Sequence, residues 1–162
     1  MSIKKQDFID NMGGINRLYF VPLNNIQAFD YIYNGYIHVF SLEAGICDSL
    51  YVVEDSIKFS QRKKSDSTGT YYDTKLSAVV PKDRPDLLVK INEMDGAQYV
   101  LIYIDNNGYK KVIGTPDELM NFSANLDTGT IEKLNGYPIS FTRKLRQRSL
   151  LIESLPEAPL PP

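Results

Sequence analysis

The chain has 162 residues, 43% of them hydrophobic and 23% charged, with a formal net charge of −2. That length suits one domain whose core needs no metal or disulfide staple. The charge gives no general electrostatic drive toward nucleic acid or membrane, and a single cysteine and a single histidine exclude an internal disulfide and a Cys/His structural zinc site.

Residues 1–16 are polar and end in Gly13-Gly14, so they read as an N-terminal arm. The opening MSIKKQDFIDNMGG lacks the apolar run of a signal peptide, and no stretch is long and apolar enough to span a membrane. The expected location is a cytoplasm, with a virion or an extracellular destination reached without a signal as the alternatives. RLYFV (17–21) then predicts a buried strand stopped by Pro22. NNIQAFDYIYNGYIHVF carries an Asn34-Gly35 turn signal and predicts two short extended pieces, or a loop packed on the core.

From Leu50 the pattern sharpens. Ile57 and Phe59 alternate with Lys58 and Ser60, as in a half-buried strand. Tyr72, Thr74, Leu76, Ala78 and Val80 share one parity and predict the returning strand. Between them RKKSDSTGT reads as the polar tip of a long hairpin. A helix follows, with Asp83 as cap, Pro85 in the first turn, and Leu87, Leu88, Ile91 and Met94 on one face. Asp95-Gly96 ends it.

YVLIYI (99–104) is apolar on both parities and predicts a central strand. DNNG (105–108) predicts a hairpin turn, YKKVIG the return, TPDE (115–118) a short capped turn, and MNFSANL another alternating strand. LNGYPISFTRKL (134–145) predicts the last long strand, and SLPEAPLPP an extended tail. The expected architecture is mainly β: an antiparallel β-sandwich or rolled sheet with one flanking α-helix and a long hairpin. Its organisation is an arm at 1–16, a domain at 17–152 and a proline-rich arm at 153–162.

No catalytic constellation emerges. STGT (67–70) lacks the GK[ST] and the following helix of a phosphate-binding loop. DNNG is followed by lysines, not by the ligands of a calcium loop. Cys47 sits beside Asp48, which disfavours a thiolate, so a Cys47–His38 nucleophile pair is set aside for a packed cysteine and a strand histidine. Asp117, Glu118, Asp127 and Glu132 read as solvated loop acids. No enzyme activity, cofactor or metal is expected.

The basic residues are more informative. Arg62, Lys63 and Lys64 cluster near the hairpin tip, and Lys144, Arg146 and Arg148 share one parity, as a stripe along a strand would. Contact with a protein neighbour ranks first for them, then protection of a sheet edge, then nucleic acid. Tyr71 and Tyr72 stand at the base of the hairpin as candidate subunit anchors. With Tyr31, Tyr33 and Tyr36 they also offer an aromatic platform, the basis of an alternative reading as a small ligand- or carbohydrate-binding β module; half-buried packing is the plainer account of those rings.

GGINRLYFVP, SDSTGTYYDTKLSAVVPKD, YVLIYIDNNGYKKVIGTPDELMNFS and TGTIEKLNGYPISFT, in this order over residues 13–143, resemble small virion proteins of tailed phages and prophages of Bacteroidetes. Those look like tail-tube or head–tail neck-ring subunits. The resemblance implies a homo-oligomeric ring, six-fold or twelve-fold, assembled in the host cytoplasm into the virion. DNA would pass through its channel without sequence-specific contact, and neighbouring tail or neck proteins would bind it. The hairpin and arms would then contact adjacent subunits. The basic stretch after Phe141 and the SLPEAPLPP tail depart from a plain tube subunit and leave connector and terminator roles open.

Overall fold

The computed structural model describes residues 13–32, 35–53, 55–81, 84–126 and 136–159. The arm before Gly13, Tyr33 and Asn34, the Asp83 cap, and Asp127 and Glu132 lie outside the described residues.

The chain runs β1 (Ile15–Pro22), β2 (Ile26–Ile32), β3 (Tyr36–Leu42), β4 (Asp48–Ser49), β5 (Lys58–Asp66) and β6 (Gly69–Pro81). It continues through α1 (Pro85–Met94), β7 (Gln98–Asp105), β8 (Lys110–Ile113), β9 (Met120–Ala124), β10 (Gly136–Leu145) and β11 (Leu150–Ile152). The fold is mainly β, a rolled sheet that does not close, with one flanking helix. The strand order is β2-β3-β11-β8-β7-β9-β10-β6-β5, with β1 along the other edge of β7. All pairings are antiparallel except β11 with β3, which meet in parallel at Leu151 and Tyr36.

β7 is the wall between two cores. Alternate side chains of a strand point to opposite faces. Tyr99, Leu101 and Tyr103 enter one cluster, with Leu76, Phe122, Phe141 and the helix residues Leu87, Ile91 and Met94. Val100 and Ile102 enter the other, with Val21, Ile37, Leu42, Val112 and Leu150. A strand buried on both faces must be apolar on both parities, and YVLIYI is.

The roll happens at one point. β8 and β9 both pair with the same edge of β7, β8 at Leu101–Ile104 and β9 at Gln98 and Tyr99. The chain passes from one to the other through Gly114 and the TPDE turn, where Thr115 and Glu118 exchange backbone hydrogen bonds of 3.2 and 3.0 Å. Gly114 has φ +86°, a left-handed conformation that favours glycine. At the other end of β8, the Asp105 carboxylate accepts the backbone N–H groups of Asn107 and Tyr109, both at 2.9 Å, and so closes the DNNG turn.

Three expectations need correction. The helix is capped by the extended backbone of Arg84 with no side-chain cap bond, and Pro85 opens it. Leu88 does not face the core: Leu87, Ile91 and Met94 are buried, whereas Leu88 is 44% exposed. The long hairpin is present, but most of RKKSDSTGT is strand and not tip. β5 and β6 pair in unbroken register from Lys58↔Ser77 to Asp66↔Gly69, so the turn is only Ser67-Thr68. The Asp66 carboxylate caps it, accepting the N–H and hydroxyl of Thr68, and those bonds hold its pKa below the usual carboxylate range.

Candidate functional site

Beyond Tyr72↔Leu145, where β10 ends, the β5–β6 ribbon continues as two strands alone among the described residues. Arg62, Lys63 and Lys64 lie on β5, not at a tip, and residues 62–70 are all exposed. Lys64 Nζ donates to Asp73 Oδ2 at 2.8 Å. That bond raises the lysine pKa and lowers the carboxylate pKa, a mutual preference for the charged pair.

The expected stripe of Lys144, Arg146 and Arg148 does not form, because β10 stops at Leu145. The three cations go to separate partners. Lys144 Nζ sits 5.0 Å from the centroid of the Tyr71 ring, and the Arg148 guanidinium carbon 5.2 Å from that of Tyr72. Tyr71 and Tyr72 are neighbours on β6 and therefore point to opposite faces. Arg146 turns instead to Glu118: its Nε lies 3.2 Å from Oε1, and its backbone N–H donates to Oε2 at 3.1 Å.

The segment after β10 is held from below by Gln61. Its amide nitrogen donates to Thr74 Oγ1 at 3.1 Å and to the Gln147 carbonyl at 3.4 Å, while its Oε1 accepts the Ser149 N–H at 3.1 Å. Thr74, fully buried, donates its hydroxyl to the Tyr72 carbonyl at 3.1 Å. Ser149 also hydrogen-bonds Tyr103, whose hydroxyl burial pushes up to about 12.

These contacts build one side of an open cleft of about 690 Å³. Tyr72, Arg146 and Arg148 line it from this side, Lys111 from β8, and Tyr31 from β2. No carboxylate lines it among the described residues. Of the residues singled out from sequence, Tyr72, Arg146 and Arg148 thus meet in one place with Tyr31. Arg62, Lys63, Lys64, Tyr71 and Lys144 do not line it. Tyr36 lines a neighbouring groove with His38.

Sequence reasoning missed Lys111 and Gln61, and it read Glu118 as a solvated loop acid, whereas that side chain is only 17% exposed and is held by Arg146. Gln61 left a trace, since it follows Ile57 and Phe59 on the inward parity of its strand as a polar residue where an apolar one belongs. Lys111 left none, because only the fold brings β8 beside residues 146–151.

Comparisons with protein families, with curated proteins and with solved structures find no match for this chain.

Proposed function

We propose that the chain is a ring-forming structural subunit of a phage virion, in the tail tube or the head–tail neck, and that the β5–β6 ribbon is its main intersubunit contact. The observation that carries this is the ribbon. Among the described residues, β5 closes the sheet order with its outer edge unpaired, and the ribbon's end has neither a third strand nor apolar cover. A lone two-stranded ribbon is marginal in water, and an open edge strand invites another chain. A neighbouring subunit laid along β5 answers both problems, and repetition by rotation closes a ring. In this reading DNA passes through the ring, and further tail or neck proteins stack on it.

The test shortens the ribbon in register. Lys63↔Tyr72 is the last ribbon pair still flanked by β10. Replacing residues 64–71 by Asn-Gly joins those two positions through a two-residue turn. Melting temperature is compared with particle size by light scattering and electron microscopy. Unchanged melting with lost rings supports the reading. Rings that form as before, or a monomer that no longer folds, refute it.

The alternative, a small β module that binds a ligand, has one observation in its favour: the cleft between Tyr31 and Tyr72.

A further inference from the structure

We propose that the cleft between β2, β6, β8 and residues 146–151 is a binding site for a phosphate-bearing ligand of nucleotide size. The inference stands on the cleft alone and does not rest on the ring reading.

Charge comes first. Three cations line the cleft, and one of them, Arg146, is matched by Glu118. Lys111 and Arg148 have no carboxylate partner among the described residues. Two unmatched positive charges exceed what one carboxylate neutralises. A phosphate monoester carries about −1.5 to −2 at neutral pH and matches them. The contact of Arg148 with Tyr72 supplies no oxygen acceptor, so the guanidinium N–H fork remains available for phosphate oxygens.

Preorganisation comes second. Gln61 fixes the backbone at Gln147 and Ser149, and Glu118 fixes it at Arg146. The Leu151 N–H donates to the Gly35 carbonyl at 2.6 Å, which ties the same segment to the start of β3. Arg148 is therefore carried on a segment tied on both sides, which lowers the ordering cost of binding.

Size comes third. About 690 Å³ is far more than a bare anion needs and falls within the range of small-molecule sites. The remaining wall includes Tyr31, 37% exposed, and Tyr72, one face of whose ring is turned to Arg148. Aromatic faces beside cations suit a base next to its phosphate. A free nucleotide and a nucleic-acid strand share that chemistry.

The experiment titrates the full chain with inorganic phosphate, adenosine monophosphate and a fluorescein-labelled thymidine dodecanucleotide, by calorimetry and anisotropy at two salt concentrations. Lys111→Gln and Arg148→Gln should each weaken nucleotide binding about ten-fold, the loss of one charge-assisted hydrogen bond. Lys75→Gln, on the exposed side of β6, should leave it unchanged. Melting temperature checks each variant; if Arg148→Gln folds poorly, Lys111→Gln carries the test. A dodecanucleotide bound much more tightly than the mononucleotide, with a steep salt dependence, assigns nucleic-acid backbone as the source. Equal affinities assign a free nucleotide. Binding unaffected by either cleft variant, or weakened as much by Lys75→Gln, overturns the proposal. So does a glutamate-rich peptide that binds more tightly than the nucleotide, which would make the cleft a protein contact.

Discussion

Gly114→Ala should be the most damaging single methyl addition at the roll of the sheet. Alanine at φ +86° costs about 1–2 kcal/mol for its left-handed backbone. The new Cβ would also stand 2.8 Å from the carbonyl oxygen of Glu118 and 3.7 Å from the Met120 side chain. The nearer atom is backbone, and it already accepts the Thr115 N–H, so it cannot swing aside as a side chain would. Forcing it away adds about 1–3 kcal/mol, for a total of roughly 2–5 kcal/mol. In a domain of this size each kcal/mol lowers the melting temperature by about 2–4 °C, so a fall of roughly 4–20 °C is expected. Gly96→Ala is the control. Gly96 has φ +76° and nothing within 4 Å of an added Cβ, so only the backbone cost of about 1–2 kcal/mol applies. Urea and thermal denaturation followed by circular dichroism measure both. If Gly114→Ala costs no more than Gly96→Ala, the close approach to Glu118 is not what requires glycine there.

Ile91→Ala should cost about 2–5 kcal/mol, because Ile91 is 4% exposed within the first core, whereas Leu88→Ala should stay within about 0.5 kcal/mol. Similar costs for the two in denaturant melts would mean that the helix is rotated from the orientation described. Tyr103 keeps its proton in the folded chain up to about pH 12, while the unfolded chain releases it near pH 10. Its contribution to stability is full below pH 10 and is lost as pH rises from about 10 to about 12, since there the folded state holds the extra proton. Tyr103→Phe should therefore show a shallower loss of stability over that window than the unaltered protein, and equal slopes would contradict the burial argument.

How far the fold was legible follows from how local each signal is. The double-sided apolarity of 99–104, the DNNG turn and the common parity of Leu76, Ala78 and Val80 are properties of a few neighbouring residues, and they carried through to β7, its turn and β6. Leu88 failed because an amphipathic stripe wide enough to include it is broader than the face that this sheet covers. The hairpin was legible but the length of its strands was not, because a strand exposed on both faces shows no alternation; only its register with β6 identifies it. The basic stripe was a parity argument that required a strand, and β10 ends one residue after Lys144. What replaces the strand is a segment held by Gln61, which lies 86 and 88 residues away from the positions it bonds. The cleft draws on β2, β6, β8 and residues 146–151, so no window of sequence contains it.

The parallel bridge between β11 and β3 bears on the order in which the chain can fold. β2 and β3 can zip into a hairpin early, being close in sequence. That hairpin joins the rest of the sheet through Leu151, which pairs on its other side with Lys111. Residues 153–159 then lie against the end of β3 and the chain after it, where the Leu42 and Ala158 N–H groups bond the carbonyls of Glu157 and Gly45. Loop-closure entropy must be overcome before such distant contacts contribute. During synthesis the hairpin is made long before its bridging strand. The second core cannot seal until β11 has emerged, and the inward faces of Ile37 and Leu42 wait until then for cover.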